Sequence, residues 1–170
     1  MANLLSRLQP LRTVVLDIDG VLTNGQVFLL PDGTQMRSMN IKDGYALQLA
    51  VQMGYRLVVI SGGASEESRL RLQKLGVEEV MLNVKNKVQA LQTLGLAPQE
   101  VVFMGDDMPD LELLEQAGFA ACPADACAEV RSACHYISPQ RGGEGAVRDL
   151  LEKLLKLNGH WPLQPAVQSR

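Results

Sequence analysis

Thr13-Val14-Val15-Leu16-Asp17-Ile18-Asp19-Gly20-Val21-Leu22-Thr23 is the stretch on which the reading of this chain turns. A short aliphatic, β-branched run reads as a buried strand, and it delivers two carboxylates, one residue apart, onto a glycine turn. Two further runs end in polar, glycine-bearing loops. Residues 56 to 60 run into Ser61-Gly62-Gly63, and residues 101 to 104 run into Gly105-Asp106-Asp107, with Asp110 three residues on. Residues 80 to 82 form a weaker strand, and residues 119 to 121 and 136 to 137 suggest short edge strands.

Between the strands the pattern is helical, over residues 44 to 53, 66 to 75, 87 to 94, 110 to 117 and 145 to 157. Ser65 suits the start of the second helix and Gly76 its end. In the last, Val147, Leu150, Leu151 and Leu154 recur at helical spacing, so one face is buried. Strands alternating with helices predict an α/β fold: a Rossmann-like three-layer sandwich with a mostly parallel sheet. Residues 25 to 41 break the alternation. Asp32-Gly33 between two apolar runs reads as a β-hairpin flap after the first strand.

The chain has 170 residues, which suits a single domain spanning residues 1 to 170, with a tail from about 158 that has no periodicity and carries Pro162 and Pro165. A net charge of -3 and 4% aromatic residues argue against a nucleic-acid surface. No apolar run reaches the roughly 20 residues of a membrane span, and the opening residues make a poor signal peptide. Three cysteines, an odd number, suit a cytoplasmic protein. Cys122, Cys127 and Cys134 lack the spacing of a zinc knuckle and read as inert thiols.

In an open α/β sheet the loops at the carboxyl ends of the strands converge, so Asp17, Asp19, Ser61, Gly62, Asp106 and Asp110 share one site. Clustered carboxylates repel unless a cation lies among them, and hard oxygen ligands favour Mg2+. A cation on Asp17 and Asp106 would draw in a phosphate. Asp17 is then a nucleophile, and Asp19 can protonate the leaving oxygen and later deprotonate water. Ser61 and the amide of Gly62 can hold phosphoryl oxygens, and Lys87 can neutralise their charge. Lys85 is a rival, but spacing to the next motif favours Lys87. Asp110 reads as a residue orienting the metal site. Asp107 is harder to assign, since either acid could simply start the following helix.

Together these motifs, Asp17-x-Asp19-Gly20 after a hydrophobic strand, Ser61, Lys87 and Gly105-Asp106-Asp107-x-x-Asp110, in that order, resemble the haloacid-dehalogenase-like phosphatases. Asn40-Ile41-Lys42-Asp43-Gly44-Tyr45, Cys122-Pro123-Ala124-Asp125-Ala126 and Arg141-Gly142-Gly143-Glu144-Gly145 resemble the subfamily of 3-deoxy-D-manno-octulosonate 8-phosphate phosphatases, over about residues 10 to 158. The resemblance implies a capless enzyme of lipopolysaccharide precursor synthesis, with Mg2+ on Asp17, Asp106 and the Asp19 carbonyl. It implies substrate contacts at Asn40, Ile41, Lys42, Asp43, Gly44, Gln48, Arg71 and Lys87, and a homotetramer packed through its hairpins, a neighbour closing each site. Where many members carry arginine and a second basic residue, this chain has Gly63 and Glu144.

A sugar acid phosphate also carries a carboxylate, so the site needs cations beyond Lys87. Lys42, Arg71 and Lys74 are candidates, the last two spaced to share a helix face. Gly63 leaves room for an eight- or nine-carbon acid; relatives acting on nine-carbon acids tend to carry an acidic residue there, so the resemblance favours the eight-carbon acid over a nine-carbon nonulosonate 9-phosphate. Two other readings stand beside hydrolysis. A phosphoryl-transferring mutase would need a cap to exclude water. A non-enzymatic receiver domain would place its phosphorylated Asp at the third strand, which here ends in Asn83.

Overall fold

A computed structural model describes residues 4 to 162. Six strands form one all-parallel sheet: β1 (Thr13–Leu16), β4 (Arg56–Ile60), β5 (Glu79–Met81), β6 (Val101–Met104), β7 (Phe119–Cys122) and β8 (Tyr136–Ile137), in the order β5-β4-β1-β6-β7-β8. Two-residue strands β2 (Phe28–Leu29) and β3 (Gln35–Met36) pair antiparallel as the hairpin. The helices are α1 (Leu4–Leu8), α2 (Ile41–Gln52), α3 (Glu66–Lys74), α4 (Lys87–Thr93), α5 (Leu111–Gln116), α6 (Ala128–Ala133) and α7 (Ala146–Leu157).

Alternation along the strands produces two cores. Val14, Leu16, Leu57, Val59, Val102 and Met104 face one way, onto Leu47 of α2, Leu72 of α3 and Leu150, Leu151 and Leu154 of α7. Val15, Val58, Ile60, Val101 and Phe103 face the other way, onto Leu91 of α4, Leu113 of α5 and Val130 of α6. Strands covered on both faces read as continuous aliphatic runs, and these do. The result is a three-layer α/β sandwich of Rossmann-like build.

Three elements differ from the sequence reading. α2 begins at Ile41, not 44, because the Asn40 side chain accepts a hydrogen bond from the Lys42 amide and caps the helix. The substrate loop expected at residues 40 to 45 is therefore the first turn of a helix. α1 and α6 were not anticipated. They are only 5 and 6 residues long, too short for a periodic signal, yet they bury Leu8 and Val130. Beyond Asn158, His160 accepts or donates at 3.2 Å to the Tyr55 hydroxyl, and Trp161 lies under the Arg148 guanidinium at 4.4 Å. That part of the tail is docked; Pro165 lies outside the described residues.

β1 leaves its crossover toward β4, whereas β6 leaves toward β7. The loops after β1 and β6 therefore part at the sheet's switch point, where a crevice opens. Leu16 is in register with both Val59 and Met104, so Asp17 lies level with Ile60 and Gly105, and Ser61 follows one residue beyond.

Candidate active site

At that crevice a cleft of about 320 Å³ is lined by Asp17, Asp19, Ser61, Gly62, Gly63, Lys85, Lys87, Asp106 and Asp110, among others. Asp17 ends β1, its amide bonded to the Met104 carbonyl at 3.1 Å. The buried Lys87 ammonium, from the first turn of α4, donates to Asp17 Oδ1 at 2.6 Å and also to Asp110 Oδ1. Lys85, the rival lysine, is exposed on the rim. Asp110 Oδ2 accepts from the amides of Asp106 at 2.9 Å and Asp107 at 3.4 Å, so one carboxylate orders the whole loop after β6. Asp107 itself is exposed.

Glycine permits this closeness at Gly20, which adopts φ +88°. A Cβ there would lie 2.0 Å from Asp106 Oδ2. Thr23 closes the same turn: its hydroxyl accepts from the Gly20 amide and donates to the Ile18 carbonyl, both at 3.3 Å. The loop before α7 braces it from behind. The Gly143 amide donates to the Val21 carbonyl at 3.0 Å, and a Cβ on Gly142 would meet the Gly20 carbonyl oxygen at 1.8 Å. Ser61 is buried, and its hydroxyl accepts from the Gly63 amide at 3.1 Å.

Asp17, Asp106 and Asp110 each place an oxygen within 4.8 Å of the others. Burial, partly offset by Lys87 and reinforced by Asp110, raises Asp17 to about 6. Burial and then the Asp110, Asp17 and Asp107 carboxylates raise Asp106 to about 8. Lys87 is held above its ordinary value because the two carboxylates outweigh its burial. Three acids with one ammonium leave net negative charge in a buried site, which suits a divalent cation held by hard oxygen ligands. The Asp19 carboxylate stands apart from this cluster. It is 38% exposed at the mouth and is gripped by Arg37, which donates from Nε to Oδ1 at 2.6 Å and from Nη2 to Oδ2 at 3.2 Å.

The remaining expected substrate residues are not gathered at this cleft. Asn40 caps α2 and donates to the Gly143 carbonyl at 3.4 Å. Ile41 is exposed, and Lys42 lines a separate groove with Glu144, Arg148 and Glu152. Asp43, 1% exposed, turns inward and accepts from the Arg148 amide in the first turn of α7 at 2.7 Å. Gln48 is buried within α2. Gly44 lets α3 approach, since a Cβ there would come 3.3 Å from Arg71 Nη2. Arg71 lines a second cavity between the hairpin and α3, while Lys74, in the last turn of α3, is exposed and away from both cavities. Arg37 was missed in the sequence. The only signal was a basic residue following Met36 on the limb that returns toward the site.

The sequence and fold have close counterparts. Residues 37–118 match the family model for haloacid dehalogenase-like hydrolases. The 3-deoxy-D-manno-octulosonate 8-phosphate phosphatase KdsC of Escherichia coli strain K12 is 29% identical over 162 residues, covering 93% of this chain and 86% of that protein. The crystal structure of 3-deoxy-D-manno-octulosonate 8-phosphate phosphatase from Moraxella catarrhalis, in complex with magnesium, phosphate and KDO, is 30% identical, superposes with a TM-score of 0.87 and matches over 92% of each chain. A cobalt-bound structure of the Haemophilus influenzae deoxy-D-mannose-octulosonate 8-phosphate phosphatase is 28% identical with a TM-score of 0.84, covering 89% of this chain and 88% of that one. With four acidic, hydroxyl and lysine motifs level at one crevice and relatives matching along nearly its whole length, the chain belongs to the haloacid dehalogenase-like hydrolases and is a phosphatase among them.

Proposed function

We propose that this chain is a Mg2+-dependent phosphatase acting on 3-deoxy-D-manno-octulosonate 8-phosphate through an aspartyl-phosphate on Asp17. The observation that carries the reading is the grip of Lys87 on Asp17 Oδ1, which leaves Oδ2 as the attacking oxygen. The Escherichia coli and Moraxella catarrhalis relatives support the choice of substrate. Asp17, Asp106 and Asp110, with the Asp19 carbonyl, would hold Mg2+. When bound, that ion would offset the charge of the carboxylates and of the phosphoryl oxygens.

Asp17 Oδ2 forms a bond to phosphorus as the bond to the sugar oxygen breaks, and Asp19 gives that oxygen its proton. Ser61 and the Gly62 amide hold the phosphoryl oxygens, and Lys87 balances their charge. Water, losing a proton to Asp19, then attacks phosphorus and frees Asp17. The product would serve lipopolysaccharide precursor synthesis in the cytoplasm, in a homotetramer.

The test compares kcat/KM for the eight-carbon substrate and a nine-carbon nonulosonate 9-phosphate on one preparation, with and without chelator. The expected result is a preference of at least about tenfold for the eight-carbon acid, roughly 1.4 kcal/mol of transition-state binding. Chelator should abolish turnover and Mg2+ restore it. A tenfold preference for the nine-carbon substrate refutes the choice of sugar, and full activity in excess chelator refutes the metal.

A further inference from the structure

We infer that Arg37 recognises an anionic group on the leaving half of the substrate and so determines which phosphomonoesters this enzyme accepts. The inference deepens the proposed function and rests on Asp19 acting at the leaving oxygen. Arg37 follows β3 on the limb of the hairpin that returns to the cleft, and its side chain is only 10% exposed. Its fork grips both oxygens of Asp19, and Nη2 also donates to Gln35 Oε1 at 3.4 Å. A guanidinium carries five N–H donors, and these bonds engage Nε and Nη2, so among the described residues the Nη1 edge remains for a ligand.

Gly63 leaves space beside the Arg37–Asp19 pair. A Cβ on Gly63 would lie 3.2 Å from Asp19 Oδ2, 3.5 Å from Ser61 Oγ and 3.9 Å from Arg37 Nη2. A side chain at 63 would crowd the Asp19 carboxylate and fill the space between hydroxyl and acid. With glycine there, the hairpin supplies the cation that the loop after β4 does not.

The direction of the substrate follows. A phosphoryl group held at Asp17 and Ser61 has its leaving oxygen at Asp19, so the rest of the molecule extends past Asp19. There it meets Arg37, held against the Asp19 carboxylate. Beyond lies the second cavity, about 400 Å³, in whose wall Arg37 stands with Thr34, Gln35, Ser65, Ser68 and Arg71, beside Met36, Met39 and one carboxylate, Glu67. Hydroxyls, an amide and a second guanidinium offer donors to a polyhydroxylated acid, while the methionines can cover its carbon chain.

The test uses the full-length enzyme and its Arg37→Ala and Arg37→Lys variants on three substrates: the sugar acid phosphate, a neutral pentose 5-phosphate and p-nitrophenyl phosphate. For Arg37→Ala, kcat/KM on the sugar acid phosphate should fall by about thirtyfold or more, chiefly through KM, as suits loss of a hydrogen bond to a charged group. The two substrates with neutral leaving groups should change by less than about threefold, the spread of an indirect effect. Arg37→Lys should recover part of the loss. Equal falls on all three substrates would show that Arg37 only orients Asp19, and no fall on any would show that it does neither; both outcomes overturn the inference. If the wild type ignores the sugar acid phosphate, the proposed substrate fails by itself. The role of Arg37 is then read from p-nitrophenyl phosphate against 4-carboxyphenyl phosphate, where a loss confined to the carboxylated ester still supports it and a common loss refutes it.

Discussion

Asp17 is under two opposed demands. As a nucleophile it must be ionised, yet burial raises it to about 6 and the nearby Asp110 adds to the cost. Lys87 offsets part of this, and Asp110 shares the same ammonium. Replacing Asp17 with Asn removes one buried negative charge while Asp110 keeps Lys87 paired, so the usual penalty for breaking a buried ion pair is avoided. Asp17→Asn should therefore unfold at a urea midpoint equal to or above wild type, while kcat falls by more than about a thousandfold, as expected for loss of a covalent nucleophile. A variant keeping a tenth of wild-type turnover would remove Asp17 from the chemistry. A large loss of stability would show that Lys87 depends on Asp17 rather than Asp110.

The active-site turn depends on an element far away in sequence. The loop before α7 is anchored by Asp125, whose Oδ1 accepts from the Gly142 amide at 2.9 Å, and it presses Gly142 against Gly20 and Gly143 against Thr23 and Asn24. Gly142→Ala would push the Gly20 carbonyl outward, and with it the turn that carries Asp19 and faces Asp106. Expected is a fall in kcat of more than about tenfold, since small displacements of reacting groups cost heavily. Unchanged steady-state kinetics in that variant would mean the turn does not depend on the brace.

Asp43 does comparable work at the other end of the same loop, capping α7, and its buried Oδ2 finds no partner among the described residues. Burial, only partly offset by the Arg148 amide and its charge, raises Asp43 to about 6 from an ordinary 3.8. The folded state therefore binds this proton more tightly than the unfolded chain. Asp43 favours folding most below pH 4, and that advantage is lost as pH rises to 6, by about 3 kcal/mol at most. Asp43→Asn should flatten this part of the stability curve, measured as urea midpoint against pH from 4 to 7. An identical slope in the variant would assign it to other groups.

These elements also mark the limit of what could be read beforehand. Asp17, Ser61, Lys87 and Asp106 were legible because each follows an aliphatic run or a helix start at the end of the sheet where such loops must meet. Asp43 and Arg37 were not, because whether a charged side chain turns inward depends on partners about 105 and 18 residues away. Nor could spacing show that Lys74, sharing a helix with Arg71, would end beyond both cavities.

At the scale of the molecule, the hairpin is the part that does not close on itself. Its strands are two residues each, and it carries Val27, Phe28, Leu29, Leu30 and Met36 exposed, Leu29 at 72%. A two-stranded ribbon of that length is not stable alone in water, and a contiguous apolar strip of this kind marks a contact surface. We expect the strip to pack against the hairpins of other copies in the proposed homotetramer. That packing would also hold Arg37 against Asp19, since both sit at the hairpin's return to the cleft. Phe28→Glu with Leu29→Glu places two charges at the centre of that contact, where each must be desolvated or the assembly must part. Light scattering at micromolar concentration should then report a monomer in place of a tetramer. Activity should fall with dissociation, and both should return together as protein concentration is raised, because association follows mass action. A wild-type monomer that is fully active, or a double variant that stays assembled, would show that the strip serves some other contact.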